Sequence, residues 1–520
     1  MSDNFRPTFA LTQPDWLVRT HQLAFGGLLL LLVWAPLPLA SNRGWALALL
    51  SLCLCGLLLL VVGAAWLAGT PLQATGAGPR TGRDVWLPLG LLGAYTLLVA
   101  LQLVPLPAVL LGWLAPGVDV AGGAGPLSVD PSSTRAYLLA CVAYTAAFAL
   151  VLLLARSERR LRWLVVAVVA SGVFQAFLAV LLMTSRQGYE YLFLQFSGGG
   201  RATGTFASPD HLAAYMLLCI ALGLGLVLST TGEDVRPSPG WRHKVVAGLR
   251  FLMSGRMLVR LLLVTLVIAL VLTRSRGGNG AFLAALLVTG ALVAWRSPQL
   301  RNLAVAVIVS MLVVDLIVIG QWVGLDKVVQ RLEGTSIRAE QPADDGPGAV
   351  NVNREESLEE RLFAARYALT MVQERPVLGF GGGTFYIAFP RFKANHALGF
   401  YDHAHNDYVE IAANTGLLGL GLLLTLAGAA LVRALRALDD DQPPLARGLA
   451  AGIVMAIVSL AIHSMVDFNL QIPANALTFT IVLALAWCLP VRRRRRRVRG
   501  SGRESRLDGS KPGRGDEADD

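Results

Sequence analysis

The chain has 520 residues, 54% of them apolar and only 15% charged, with a mean hydropathy of +0.57. Soluble domains carry about 25% charge, so a string of soluble domains is excluded and a membrane protein is indicated. Much of the formal charge of +11 lies in VRRRRRRVRG (491–500) and the tail behind it, which suits a cytoplasmic anchor after a spanning helix rather than a nucleic-acid-binding arm.

The N-terminal stretch MSDNFRPTFALTQPDW is not a short charged stub with a cleavage site, so the first apolar block reads as a retained span. Apolar blocks of spanning length follow at about 22–40, 45–68, 86–106, 136–155, 163–184, 211–229, 258–273, 279–295, 303–322, 406–432, 448–467 and 475–490. Lipid cannot satisfy free backbone groups, so these must be helical. The expected fold is all-α: a polytopic membrane protein of about twelve transmembrane helices. Its parts are a cytoplasmic N-terminus (1–21), N-terminal spans (22–160), a membrane core (161–490) holding a long loop at 323–405, and a disordered basic tail (491–520). The cysteines, Cys53, Cys55, Cys141, Cys219 and Cys488, all lie in apolar blocks and form no CxxC or Cys/His pattern. No metal site or cofactor is expected.

Arginine and lysine set the orientation. Arg80 and Arg83, Arg156 to Arg162, Arg236 to Arg256, Arg296 and Arg301, and Arg433 to Arg447 occupy every second loop. With both termini cytoplasmic these are the inner loops, as the positive-inside rule demands. Three stretches then face outward: about 185–210 with GRATGTFASPDH, the turn TRSRGG (273–278), and the long segment 323–405.

The long segment begins with EGTSIRAEQPADDGPGAVNVNREE (333–356), rich in Gly, Pro and acid and expected to be mobile. SLEERLFAARYALTMVQERP (357–376) follows, with Ser357 and Glu360 at capping-box spacing. Leu358, Leu362, Ala365, Leu369 and Val372 share one helical face, predicting an amphipathic helix that lays this face on the bundle and ends at Pro376. GFGGGTF (379–385) lacks the GK[ST] of a nucleotide-binding loop.

The outward stretches hold Arg201, Arg274, Arg276, Arg361 and Arg366. Guanidinium groups bind phosphate oxygens by two prongs and stay charged. Against the positive-inside bias, they suggest an anion site at the membrane edge, such as one for a lipid-linked phosphate; snorkelling to headgroups is the plainer alternative. At the close of the long segment, HAHNDYVEIAANTGLLG (403–419) puts His403, Asp407, Glu410 and Asn414 on one helical stripe. His405 stands off that stripe, in the turn before the helix. A neutral His there would accept a proton from a hydroxyl. The alternative is a polar helix start, with Asn406 or Asp407 as cap. Asp467, the last polar group of a span, suits an Arg partner, an orienting role on a His, or the water boundary alone.

His405-Asn406, nine residues, Gly416, two residues and Gly419 fit H-[NSQ]-x9-G-x2-[GTY]. In this the chain resembles the O-antigen ligase and O-antigen polymerase family. GRATGTFASPDHLAAY, SRGG and RLFAARYALTMVQERPVLGFGGGTF carry the resemblance over about 160–490. It implies a GT-C type, metal-independent, inverting glycosyltransferase of the bacterial inner membrane with a periplasmic active site. The implied donor is a glycan on undecaprenyl pyrophosphate; the acceptor is a glycan, lipid A core or protein hydroxyl. His405 matches the family's essential histidine. Arg276, with Arg274 as its alternative, and Arg361 match the essential arginines. Arg274, Arg201, His403, Asn406, Glu410 and Asp467 are the expected substrate-binding groups. Two other readings are a transporter of a small anion such as bicarbonate and a non-catalytic member of a polysaccharide assembly complex. A carrier would be expected to show broken helices at mid-membrane and an internal repeat; the polar groups instead gather on one face.

Overall fold

The computed structural model describes residues 14–70, 82–114, 123–184, 189–191, 194–196, 200–229, 255–318, 349–350, 358–393 and 401–490. The helices run α1 (Asp15–Trp34), α2 (Gly44–Leu67), α3 (Gly82–Leu101), α4 (Ala108–Leu114), α5 (Pro131–Leu154), α6 (Glu158–Thr184), α7 (Pro209–Ser229) and α8 (Gly255–Leu272). They continue as α9 (Arg276–Arg296), α10 (Pro298–Val318), α11 (Leu358–Glu374), α12 (Phe385–Ala388), α13 (Asp407–Arg436), α14 (Pro444–His463) and α15 (Pro473–Cys488). The tail 491–520, residues 230–254, Arg80, and residues 323–348 and 351–357, with Ser357 of the expected capping box, lie outside the described residues.

Among the described residues, eight helices are long and apolar enough to cross a membrane: α1, α2, α5, α6, α7, α9, α13 and α14. Four shorter apolar helices, Val85–Leu101, Met257–Leu272, Pro298–Val313 and Pro473–Cys488, fall on the remaining expected blocks. The protein is thus an all-helical, polytopic membrane protein. Short strands decorate it: Leu106–Pro107 pairs with Ala124–Gly125, and Leu194–Phe196 pairs with Tyr189–Tyr191 and Ala349–Val350.

The bundle is organised around α7. Its sequence is apolar all round, and every residue from Pro209 to Ser229 is buried. Its closest neighbour is α14, and small residues let the two backbones touch. A Cβ on Gly225 would lie 2.9 Å from the Gly448 carbonyl oxygen, and one on Gly452 2.5 Å from that of Ala221. Such small-residue stripes substitute close backbone contact for the hydrophobic drive that lipid cannot supply. The site described below takes its groups from the ends of these two helices.

The amphipathic helix α11 lies against α13 as expected, but on a different face. Ala364, Ala368 and Met371 are fully buried, whereas Leu362 and Leu369 are 55% and 48% exposed. In a protein surrounded by lipid the large apolar residues need not point inward, and alanines permit the closer approach. The rotation turns Arg361, one helical turn before Ala364, toward the bundle.

The glycines of the 405–419 motif have a structural reason. Gly416 sits at φ +69° and ψ 176°, breaking α13 near its start, and a Cβ there would overlap the Val377 carbonyl. The break frees two carbonyls, which the loop after α11 caps: Phe380 N donates to Ala413 O and Gly381 N to Asn414 O, each at 2.9 Å. Gln102 ties the same junction, donating to Leu378 O at 2.7 Å and accepting from Gly382 N at 2.9 Å. A Cβ on Gly419 would overlap the Thr415 side chain. GFGGGTF is therefore a brace for broken α13, and the brace holds the start of α13 against the bundle.

Candidate active site

Five segments meet at one end of the bundle: the turns before α7, α9 and α13, the helix α11, and the chain after α14. Asp210, the second residue of α7, is the hub. Its Oδ1 accepts from Arg201 Nη2 at 2.9 Å and its Oδ2 from Arg361 Nη2 at 2.7 Å. Arg201 Nε also donates to the Thr273 carbonyl at 2.8 Å, and Arg361 Nη1 to the Val466 carbonyl at 3.0 Å. One carboxylate thus holds two guanidinium groups together, and a backbone oxygen fixes each from a second direction. A guanidinium carries five donors in a planar fork, a geometry suited to the oxygens of an anion.

Arg274 and Arg276 flank Ser275, whose hydroxyl accepts from Gly278 N at 3.1 Å and caps α9. Arg274 adopts φ +53°, a strained conformation for a residue with a side chain. Arg276 opens α9 and is exposed. The next residue, Gly277, abuts the segment that holds Arg361: a Cβ on it would lie 2.8 Å from Val466 Cγ2 and 3.0 Å from His463 Cδ2. The arginine turn therefore abuts the segment to which Arg361 is bound. Arg366 points away and is exposed.

The histidines converge on Phe468. His403 stacks on it (centroids 4.0 Å apart, planes 18° apart), while His405 and His211 meet it edge-on at 5.1 and 4.6 Å. His405, like Arg274, has a positive φ, +49°. Glu410 secures this turn with both oxygens, one 2.8 Å from His403 Nδ1 and the other accepting from Ala404 N at 2.9 Å. The cluster gives the two motif histidines opposite character. Burial opposes charge on His403, but the Glu410 carboxylate outweighs it and lifts the imidazole to about 9. Burial pushes His405 down to about 4; Arg361 adds to the effect and Asp467 opposes it. At neutral pH His403 is a cation and His405 a neutral proton acceptor.

The remaining expected groups have defined partners. Asn406 is the N-cap of α13, its Oδ1 accepting from Val409 N at 3.1 Å while its Nδ2 donates to Met465 O at 2.9 Å. Asp407 is buried and accepts from Ser464 Oγ at 2.6 Å and Leu470 N at 3.1 Å, pinning the 464–470 segment to α13. Asp467 is buried as well; its Oδ1 lies 3.9 Å from His211 Nε2 and its Oδ2 3.7 Å from His463 Nε2. Among the described residues no three His, Cys, Asp or Glu side chains converge as a metal ion would require. Behind the Asp407–Ser464 wall, an apolar cavity of about 410 Å³ runs between α3, α5, α13, α14 and α15, bordered by Tyr95, Tyr137, Ile411 and Leu483.

Asp210, His211, His463 and Phe468 belong to this cluster and were not singled out by the motifs. The signal was present in SPDH and HSMVDF, ionisable groups at the ends of apolar spans, a position that marks function more often than packing.

Residues 261–424 match the model of the O-antigen ligase family, Wzy_C. This part of the chain is similar to the O-antigen ligase family. It takes in Arg274, Arg276, Arg361, His403, His405, Asn406 and Glu410; Arg201 and Asp210 precede it, and Asp467 follows it. No curated protein matches the chain. Within the matched stretch the arginine turn, α11 and the start of α13 are brought together, and the helix ends outside it supply the carboxylates between them.

Proposed function

We propose that the protein is an inverting glycosyltransferase of the O-antigen ligase or polymerase kind. It transfers a glycan from an undecaprenyl pyrophosphate donor to an acceptor hydroxyl on a glycan, lipid A core or protein. The reaction takes place at the periplasmic face of a bacterial inner membrane, in a GT-C type bundle of about twelve spans with both termini in the cytoplasm. The observation that carries this reading is the neutral His405 beside Arg361, which Asp210 couples to Arg201.

In the proposed step the acceptor oxygen forms its bond to the anomeric carbon and loses its proton to His405. The bond from that carbon to the pyrophosphate breaks on the opposite side, its electron pair going to the phosphate oxygen. Arg361 and Arg276, with Arg201 and Arg274 beside them, stabilise the charge that builds on the leaving group. Fixed donors in a site poor in water do this without reorganising. His403, held charged by Glu410, adds a further cation. The apolar cavity offers room for a lipid chain at membrane depth.

The test is transfer from an undecaprenyl pyrophosphate-linked oligosaccharide by the full chain in nanodiscs, with EDTA present because no step is assigned to a metal. His405→Ala is expected to insert and fold normally and to lose about 10²–10⁴-fold in rate. Wild-type transfer by that variant would remove His405 from the mechanism.

A further inference from the structure

The far end of the bundle from the candidate active site holds a second basic cluster. α5 starts against the brace, where Thr134 Oγ1 donates to the Gly382 carbonyl at 3.0 Å, and its 24 residues carry the chain about 36 Å away. α1 runs the other way. The Pro36 carbonyl just beyond its end accepts from Thr205 Oγ1 at 2.6 Å, which leaves its first turns beside the α5–α6 turn. There the Leu154 carbonyl accepts from Arg156 N at 3.1 Å and from Arg160 Nη1 at 2.9 Å, so one oxygen joins the two arginines. Arg160 Cζ lies 5.2 Å from the centre of the Phe25 ring. His21 precedes Phe25 by one turn on the same buried face of α1, where side chains four apart are neighbours. His21 is 7% exposed, and its Nε2 is buried with no hydrogen-bond partner among the described residues. Arg160 and Arg156 are the charged groups that act on this ring. Among the described residues, Arg160 meets a carbonyl and a ring but no carboxylate. Buried polar atoms are nearly always paired, and one left over beside two guanidinium groups calls for an anion.

We propose that His21, Arg156 and Arg160 form a site for the phosphate of an anionic phospholipid, in the leaflet opposite the candidate active site. The site stands apart from glycosyl transfer and does not depend on it. Guanidinium forks and an imidazole N–H are donors suited to phosphate oxygens. α6 begins at the same turn, and a helix N-terminus favours negative charge; Glu158, the acid of its first turn, is exposed. The depth points to a lipid rather than a free ion. His21 lies six residues into α1, about 9 Å from the helix start. Trp16 on α1 and Trp163 on α6 are exposed at the same end, and tryptophans at span ends mark the headgroup level. Below them the exposed Leu23 and Val166 offer apolar contact to acyl chains. A zwitterionic headgroup would bring its own ammonium among the guanidinium groups, so a lipid of net negative charge fits better. Its phosphate oxygen would supply the acceptor that His21 Nε2 lacks, offsetting the cost of burying that atom alone. With both termini cytoplasmic, this is the cytoplasmic leaflet.

The experiment is native mass spectrometry of the full chain, stripped of lipid in detergent and titrated with phosphatidylglycerol, phosphatidylcholine or inorganic phosphate. Wild type should bind its first phosphatidylglycerol about 10-fold more tightly than phosphatidylcholine, on the order of one charged hydrogen bond, and excess inorganic phosphate should not displace it. His21→Leu should weaken that binding about 10-fold, and the pair Arg156→Gln and Arg160→Gln about 10- to 100-fold. The pair Arg159→Gln and Arg162→Gln, exposed neighbours in the same stretch, should bind as wild type does. A His21 that serves packing alone would give a different result: leucine would keep or raise the melting temperature and leave lipid binding unchanged, which overturns the site. Equal binding of the two lipids by wild type overturns it as well. Displacement by inorganic phosphate would mean a free-anion site and refute the lipid. Equal losses in the two arginine pairs would mean diffuse attraction without a built site. The wild-type comparison of lipids needs no variant, so misfolding of a substitution does not protect the proposal.

Discussion

The pH dependence of transfer follows from the unequal histidines. An unperturbed imidazole titrates near 6.5, whereas burial and Arg361 hold His405 at about 4. At pH 6 an ordinary histidine would be about three-quarters protonated, and His405 only about 1%. The rate constant kcat/KM should therefore be almost the same at pH 6 and pH 7.5, with its acid limb near 4 and an alkaline limb near 9 where His403 loses its proton. Stability has its own signature. His405 binds its proton more weakly folded than unfolded, so its contribution is lost as pH falls from 6.5 toward about 4. His403 binds more tightly folded, so its contribution is full below 6.5 and lost as pH rises through about 9. For His405 the gap between 6.5 and about 4 amounts to about 3 kcal/mol. The assay is initial-rate transfer from a lipid-linked oligosaccharide between pH 3.5 and 10, corrected for unfolding. An acid limb at 6.5 would mean that His405 is hydrated like a surface histidine, and the reasoning would fail. His403→Gln should abolish the alkaline limb and move the acid one somewhat upward, because the His403 cation helps to hold His405 down.

Asp210→Asn keeps the shape of the hub but can accept from only one of the two guanidinium groups now held at 2.9 and 2.7 Å. Losing one charged hydrogen bond is worth about 1.5–3 kcal/mol, so single-turnover transfer should drop about 10- to 100-fold, with a lower melting temperature in detergent. An unchanged rate and melting point would show that the arginines need no hub. Gly416→Ala forces a side chain into φ +69°, a strain of about 1–3 kcal/mol, and into the Val377 carbonyl. It should expose the 376–384 brace to limited proteolysis and abolish transfer; a protease pattern and rate like wild type would refute the brace.

Several features of the fold were legible because lipid imposes simple rules. Apolar blocks of spanning length gave the helices, and the motif gave the histidine turn before α13, whereas the break at Gly416 was not read from it. The seating of α11 was not legible. Periodicity finds the apolar face, but it cannot tell a protein-facing stripe from a lipid-facing one, so Leu362 and Leu369 were assigned inward and are exposed. The same limit hid the hub. Asp210 follows a proline at a span's start and looks like an ordinary helix beginning; only the meeting of α7 with α11 brings Arg361 to it. His463 and Asp467 are four residues apart in sequence, yet their relation to His405, some sixty residues away, is made by Phe468 and by Asp407 pinning the intervening segment.

The closeness of Arg361 to His405 has a consequence for the order of events. Arg361 lowers the affinity of His405 for a proton, and it is also a proposed binder of the donor's pyrophosphate. A bound pyrophosphate offsets the guanidinium's field at the imidazole, as opposite charges at short range must. His405 should thus become a better base only once the donor is seated, which discourages it from acting on water or acceptor in an empty site. Since kcat/KM reports the free enzyme and kcat the loaded one, the acid limb of kcat should lie above the limb near 4 expected for kcat/KM. Equal limbs would mean that the pyrophosphate does not reach Arg361. A kcat limb displaced downward would require the donor to leave His405 in a more positive field than before, which no anion beside Arg361 can do.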